Sequence, residues 1–410
     1  MHHQPLDSSS GRPSDEGRPL LDCVLELIWQ QRKISRADIA RRTGLSRSTV
    51  SEIVSALLET GLVAEVGEAP SRGGRPAILL EFQDDAYLIL GVDMGATHVS
   101  VALTNLRGEV FAWEHRAHAV RTDPEGTERL ILDLCNRCLS SVKGARRRLL
   151  GIGLAVPAPV DPRAPERLSG VVLPSWHDHG GMGGLFAAFD VPVFVDNDAN
   201  LGALAEHWWG AGRGVDDFAF LKVATGIGSG HMIDGKIYRG ATGVAGEIGH
   251  ISIDPSGPPC VCGNRGCLTT YVGSEALVAR VHSLRPEFPE SFLNKGEVSV
   301  SAIEEAALAD DPLAMKVVEE SAANLGIVIA GVLNLMNPAM VILGGGLARL
   351  NERLLNPLRE AVLRRTLVTS IAASEIRTSD LGPRGIAIGA ATHVLQSALQ
   401  DPSLFPGMET

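Results

Sequence analysis

Apolar residues first recur at helical spacing over residues 19–31, where Leu20, Val24, Leu27 and Ile28 share one stripe. Ser35 stands three residues before Asp38, a variant of the capping box, and predicts a short helix closing at Thr43-Gly44. Ser46 caps a second helix. There Val50, Ile53, Val54, Leu57 and Leu58 draw one apolar stripe, and Gly61 closes the C-terminal end. Two helices joined by a Gly-containing turn, the second polar at its N-terminal end, make a helix-turn-helix. Residues 62–66 and 77–82 read as two strands around a loop, which would form a wing.

The pattern then changes. Residues 87–93 and 99–104 are apolar strands with Gly95 and Thr97 in the turn between them. Further strands at 151–156, 191–195, 218–224 and 340–343 alternate with helices. This grammar predicts an α/β body of two lobes with a cleft between them. Residues 1–17, rich in Ser, Pro, Gly and His, read as a disordered tail. The expected domains are therefore the tail at 1–17, a winged helix-turn-helix at 18–83 and an effector body at 84–410.

Charge follows the same division. The 410 residues carry a net −11, which argues against a molecule built to coat nucleic acid. Nine Lys/Arg against eight Asp/Glu leave residues 18–83 at +1, and the first seventeen residues sum to −2, so residues 84–410 hold −10. A near-neutral head on an acidic body fits a small DNA-reading module joined to a soluble effector domain. The most apolar stretch, 326–347, is interrupted by Asn334, Asn337 and Pro338, which argues against a membrane span. No signal peptide is visible, and a cytoplasmic location is expected. Residues 128–142 read as a helix, so Cys135 and Cys138 are expected to pack in a core rather than to perform redox chemistry.

Three groups of residues carry candidate chemistry. The first is the N-terminal end of the second helix, Ser46, Arg47, Ser48 and Thr49, suited to major-groove edges and phosphates. Arg36, with Arg41 and Arg42, is a candidate phosphate contact. Arg72 and Arg75, in the loop Ser71-Arg72-Gly73-Gly74-Arg75-Pro76, suit a narrow minor groove. Such a head predicts a dimer on a nearly palindromic double-stranded site. The second group is His250, Cys260, Cys262 and Cys267, close together among glycines and prolines. Three thiolates and one imidazole are the ligand set of a closed, four-coordinate structural zinc site; the alternative is a zinc sensor, against which the short ligand spacing argues for permanent occupancy.

The third group is spread over strand ends. Asp93, Gly95 and Thr97 form one Gly-rich turn, Thr225, Gly226 and Gly228 a second, and Gly344-Gly345-Gly346 a third. Together they suggest a nucleotide cleft or its remnant. Asn197 and Asp198 follow a strand and open a helix, where a carboxylate can take a proton from a sugar hydroxyl and an amide can fix its neighbour. The bland alternative is a helix cap.

Through these motifs, residues 18–400 resemble a ROK-family transcriptional regulator. That family joins a winged helix to a body with the fold of sugar kinases and actin-like ATPases. The resemblance rests on Asp93-x-Gly95-x-Thr97, Asn197-Asp198-Ala199-Asn200, Gly246-Glu247-Ile248-Gly249-His250 and Cys260-x-Cys262-Gly263-x-x-Gly266-Cys267. It implies that Asn197, Asp198, Glu247 and His250 line a sugar pocket, with His250 also on the zinc. It implies a sugar-responsive repressor, homodimeric or homotetrameric; the alternative is an ATP-dependent sugar kinase with Asp198 as catalytic base. Two departures stand out. Thr269 occupies a position where the family usually has Glu, and the first phosphate turn reads Gly95-Ala96-Thr97-His98, where kinases have Gly-Gly-Thr-Lys. The second departure weakens phosphate binding.

Overall fold

The computed structural model describes residues 20–68, 76–165, 173–176, 185–366 and 374–408. The expected tail at 1–17 and the wing residues Arg72 and Arg75 lie outside them. The chain forms two compact units, Met1–Ala86 with Gln396–Thr410, and Tyr87–Leu395.

In the first unit the elements are α1 (Leu20–Gln31), β1 (Lys33–Ser35), α2 (Arg36–Thr43), α3 (Arg47–Glu59), β2 (Val63–Glu68) and β3 (Ile78–Phe82). Ser35 caps α2 by accepting from the Asp38 amide at 3.2 Å and donates to the Asp38 carboxylate at 2.7 Å. Ser46 caps α3 through the Thr49 amide at 3.1 Å. Val24, Ile28, Ile39, Val50, Val54 and Leu57 are fully buried. The stripe of α1 is rotated from the expected one: Leu25 is buried, whereas Leu20 is exposed and Leu27 half-buried. The sheet has the antiparallel order β1-β3-β2. β1 has no signal of its own in three residues; it exists because Ile34 pairs with Leu80 some 46 positions along the chain (80 − 34).

The second unit contains two five-stranded sheets. The first lobe holds β4 (Leu88–Met94), β5 (His98–Asn105), β6 (Val110–Ala117), α4 (Pro124–Ser141), β7 (Leu149–Val156) and β8 (Val193–Asn197). After it come α5 (Asp198–Trp209), β9 (Phe218–Val223), β10 (Ile227–Ile233), β11 (Lys236–Ile237), α6 (Thr269–Val272), α7 (Ser274–Leu284), α8 (Val300–Leu308) and α9 (Pro312–Met336). The chain ends with β12 (Met340–Gly345), α10 (Glu352–Leu363), β13 (Glu375–Thr378) and α11 (Gly385–Gln400). The sheet orders are β6-β5-β4-β7-β8 and β11-β10-β9-β12-β13, the same topology twice. In each, an antiparallel meander is followed by two parallel strands. The Gly95 and Gly226 turns therefore occupy equivalent places, between the first two strands of each sheet.

Two helices cross between lobes. α5 leaves β8 and packs on β9 and β10. α11 follows β13 and packs on the first sheet, close enough that a Cβ on Gly153 would lie 1.9 Å from the Ala390 carbonyl. Each lobe has its own core, one around Leu90, Val101 and Ile152, the other around Leu221, Val318 and Val341. Cys135 and Cys138 are buried in the first, where burial pushes the Cys138 thiol up to about 12, so both pack as expected. α9 is long and apolar enough to cross a membrane, but more than half of its most apolar part is buried inside the lobe.

Candidate functional site

β8 ends at Asn197, whose side chain caps α5 by accepting from the Ala199 amide at 2.9 Å and the Asn200 amide at 3.3 Å. Its Nδ2 donates to the Ala158 carbonyl at 3.1 Å. The cap reading of this motif therefore holds, and it leaves only one amide hydrogen of Asn197 for a ligand. Capping also aims Asp198 from the first turn of α5 at the second lobe. There it pairs with the Lys222 ammonium of β9 in a buried contact. Burial works against the ammonium, but Asp198 and then Asp93 outweigh it and hold the Lys222 pKa above its ordinary value. Behind Asp198, Asp196 accepts from Arg239 at 2.9 and 2.5 Å and from the Asn200 amide group at 3.0 Å.

Asn197, Asp198, Lys222, Glu247 and His250 line one cleft of about 810 Å³, together with both Gly-rich turns. Its volume suits a sugar-sized ligand. Glu247 lies within it; burial, and secondarily the Asp198 charge, push its carboxyl up to about 7. The Glu247 Oε2 lies 4.0 Å from His250 Nε2.

The other face of the same imidazole meets the cysteines. His250 Nδ1 is 3.4 Å from Cys260 Sγ, and Cys262 Sγ is 3.6 Å from Cys267 Sγ. All four ligand atoms lie within 4.8 Å of one another. A tetrahedron with bonds of about 2.0–2.3 Å has edges of roughly 3.5–3.8 Å, so this donor set fits zinc. Paired bridges, Ser252 with Cys267 and Pro259 with Arg265, fold the loop back on itself. Gly266 makes the fold possible: its φ is +65°, and a Cβ would lie 1.6 Å from the Asp254 carbonyl.

The first phosphate turn is occupied by its own side chain. His98 Nε2 lies 3.1 Å from Asp93 Oδ2, and its ring covers Gly95 so closely that a Cβ there would come within 2.2 Å of it. Although burial works against the buried Asp93 carboxylate, His98 and Lys222 more than offset it and lower the Asp93 pKa. Thr97 Oγ1 and Thr225 Oγ1, one from each turn, are 3.5 Å apart. The close approach that glycine allows at position 95 thus serves an imidazole in this structure. The third turn, Gly344-Gly345-Gly346, reaches the cleft through Gly346.

On α3, Arg47 and Ser48 are exposed at the N-terminal end. The Ser46 hydroxyl is engaged in the cap and with the Ser48 and Thr49 hydroxyls at 2.7 and 2.8 Å, so it serves the helix before any DNA. Arg36 donates to Glu65 at 2.8 Å, a pairing with the wing strand that sequence pattern did not reveal. Sequence reading also passed over Lys222, Arg239, His115 and Arg121. Lys222 did have a signal, as a lone charge inside the apolar run Phe218-Ala219-Phe220-Leu221-Lys222-Val223.

A winged helix-turn-helix joined to a duplicated two-lobe body of the sugar-kinase type defines a class of transcriptional regulator. Comparison with known proteins agrees. The ROK family model matches residues 89–397, and a winged helix-turn-helix DNA-binding model matches residues 24–64. The chain belongs to the ROK family. It is 33% identical over 387 residues to a xylose repressor of Caldicellulosiruptor bescii, spanning 92% of this chain and 96% of that one. It is 32% identical to the DNA-binding transcriptional dual regulator NagC of Escherichia coli, over 92% of each. Among solved structures, a ROK family transcriptional regulator, a homolog of the E. coli MLC protein, matches 94% of this chain and 97% of its own. Its TM-score is 0.78 at 29% identity. A ROK family glucokinase from Streptomyces griseus, solved with glucose and AMPPNP, matches 75% of this chain and 99% of its own, with a TM-score of 0.69 at 28% identity.

Proposed function

We propose that this chain is a sugar-responsive transcriptional repressor of carbohydrate genes, acting in the cytoplasm as a homodimer or homotetramer on a nearly palindromic double-stranded operator. The observation that carries this reading is the His250 ring, with one nitrogen toward the Cys260 thiol and the other toward the cleft carboxylate Glu247. His250, Cys260, Cys262 and Cys267 would hold a structural zinc with no open position, and the metal would fix the imidazole that a sugar hydroxyl meets. Asn197, Asp198 and Glu247 would supply the other polar contacts. Arg47, Ser48 and Thr49 would read the major groove, Arg72 and Arg75 the minor groove, and Arg36 a phosphate once released from Glu65. The name of one relative, a xylose repressor, supports a sugar effector.

The kinase alternative is supported by the likeness to a glucokinase, but two contacts stand against it. Asp198 Oδ2 is engaged by Lys222 and Asp93 Oδ2 by His98, so part of each carboxylate is committed before any proton or phosphate chemistry.

The test is DNA capture from a genomic fragment library by the full-length protein, followed by a mono- and disaccharide screen. A saturating effector at a hundred times its Kd adds ~2.7 kcal/mol of stability and changes operator affinity. Equal affinity for operator and random DNA would remove the regulator reading; operator binding indifferent to every sugar that stabilises the protein would remove the sugar response.

A further inference from the structure

The cleft of the second unit has two unlike walls. Every ionisable residue on its lining falls between His98 and His250 in the chain, whereas the lining after His250 carries no charge. That later wall belongs to the second lobe. It is built by Thr269 of α6, Ser274 and Leu277 of α7, Val300 and Ser301 at the start of α8, and Leu347 after β12. Leu277 and Leu347 are buried, Thr269 and Ser274 half-buried, and Ser301 exposed. Among the described residues the hydroxyls of Thr269, Ser274 and Ser301 have no hydrogen-bond partner in the protein, so they stand open to a ligand between apolar side chains. Val261, the knuckle residue between Cys260 and Cys262, adds an apolar side chain to the same cleft and is 77% exposed. Thr269 closely follows Cys267, so the knuckle that fixes His250 also fixes where this wall begins.

We propose that the effector is a disaccharide or a longer glycan whose second ring lies against this neutral wall. This rests on the sugar-responsive reading above and narrows its ligand class. A glycosyl ring presents apolar C–H faces and hydroxyl edges, and the wall offers the same two characters with no charge to desolvate. The first ring would meet Asn197, Asp198, Glu247 and His250, where its hydroxyls can pair with carboxylates and the imidazole. The cleft volume of about 810 Å³ stands well above roughly 300 Å³, the lower end for small-molecule sites, which leaves room for a ring beyond the first. A nucleotide is the other ligand with a large uncharged part. It would have to set its phosphates on the Gly-rich turns, and His98 already covers Gly95 in the first of them. A second sugar ring needs no phosphate turn.

The test is calorimetric titration of the zinc-loaded full-length protein with xylose, glucose and N-acetylglucosamine, each beside its α- and β-linked disaccharides. At least one disaccharide should bind ten-fold or more tightly than its parent monosaccharide. Ser301→Arg, which puts a bulky cation on the wall from an exposed position, should erase that margin. Ser301→Ala, which removes only a hydroxyl and keeps α8 intact, should narrow it a few-fold. Parents binding as tightly as their disaccharides, or a margin indifferent to both Ser301 variants, would overturn the inference and leave the sugar response standing. Adenosine or Mg-ATP binding abolished by Ser301→Arg, with no preference among the sugars, would also overturn it and give the wall to a nucleotide. No binding by any sugar, single or linked, would remove the sugar-responsive reading with it.

Discussion

Asp198 and Lys222 form an ion pair inside the cleft, their side chains only 6% and 11% exposed. The pair joins α5, launched from the first sheet, to β9 at the centre of the second. Removing one partner of such a pair leaves an uncompensated buried charge, at a cost of roughly 3–5 kcal/mol. Asp198→Asn should therefore destabilise the body by about that much in urea unfolding, and Asp198→Asn with Lys222→Met should recover most of the loss. The same pairing predicts that the wild type releases no ADP in a coupled assay across a hexose panel. Hexose-dependent release abolished by Asp198→Asn would reinstate the kinase reading.

The metal knuckle makes a separate prediction. The purified chain should carry one zinc per protomer by elemental analysis. A structural zinc contributes on the order of ten kcal/mol to local folding. Cys260→Ala or Cys262→Ala should therefore lose the metal, unfold the loop from about Ser252 to Cys267 and release His250 from the cleft. Sugar-dependent change in operator affinity should disappear with it, while affinity for operator in the absence of sugar should change far less. A metal-free variant with a normal sugar response would separate the knuckle from the pocket.

Much of this architecture was legible because local signals agreed with the tertiary result. Ser35 and Ser46 cap the helices they announce, the apolar runs at 87–93 and 218–224 become β4 and β9, and the thiols of residues 260–267 converge as their spacing implies. What was not legible depends on partners distant in sequence. β1 exists only through β3, and β11 has two residues. The pairing of Arg36 with Glu65 crosses 29 positions. The Asp198–Lys222 contact needs α5 to change lobes, which no periodicity within α5 reveals. In sequence His98 is only a departure that weakens phosphate binding; the folded turn shows the imidazole lying over Gly95 and bonded to Asp93.

On the head, Ser46 and Arg47 are adjacent and should separate cleanly by experiment. Ser46→Ala removes the α3 cap and should cost ~1 kcal/mol of stability, with DNA binding lowered only in proportion. Arg47→Ala touches no cap and should leave the melting temperature within a degree or so. It should nevertheless weaken operator binding by ~1–3 kcal/mol and relax base choice at one position. Fluorescence anisotropy with operator duplexes substituted at single base pairs reads both effects. Arg47→Ala binding with unchanged affinity and unchanged base preference would move recognition away from this end of α3.

His231, on β10, supplies the clearest dependence on pH. Its ring is buried, its Nε2 lies 2.8 Å from Ser229 Oγ, and burial pushes its pKa from 6.5 down to about 4. Above pH 6.5 the imidazole is neutral in folded and unfolded chains alike, so it adds no slope. As pH falls from 6.5 toward 4, the unfolded chain takes up a proton that the folded chain refuses, and stability declines. The whole gap corresponds to roughly 3 kcal/mol, of which about 2 kcal/mol falls above pH 5, before most carboxylates titrate. His115 and His393 are also held below their ordinary values by burial and act in the same direction, so the measurement must be a difference. Urea unfolding of the wild type and of His231→Gln at about pH 7.5 and pH 5 isolates the contribution. The wild type should lose about 2 kcal/mol more than the variant on acidification; equal losses would mean that the buried ring takes up its proton without cost.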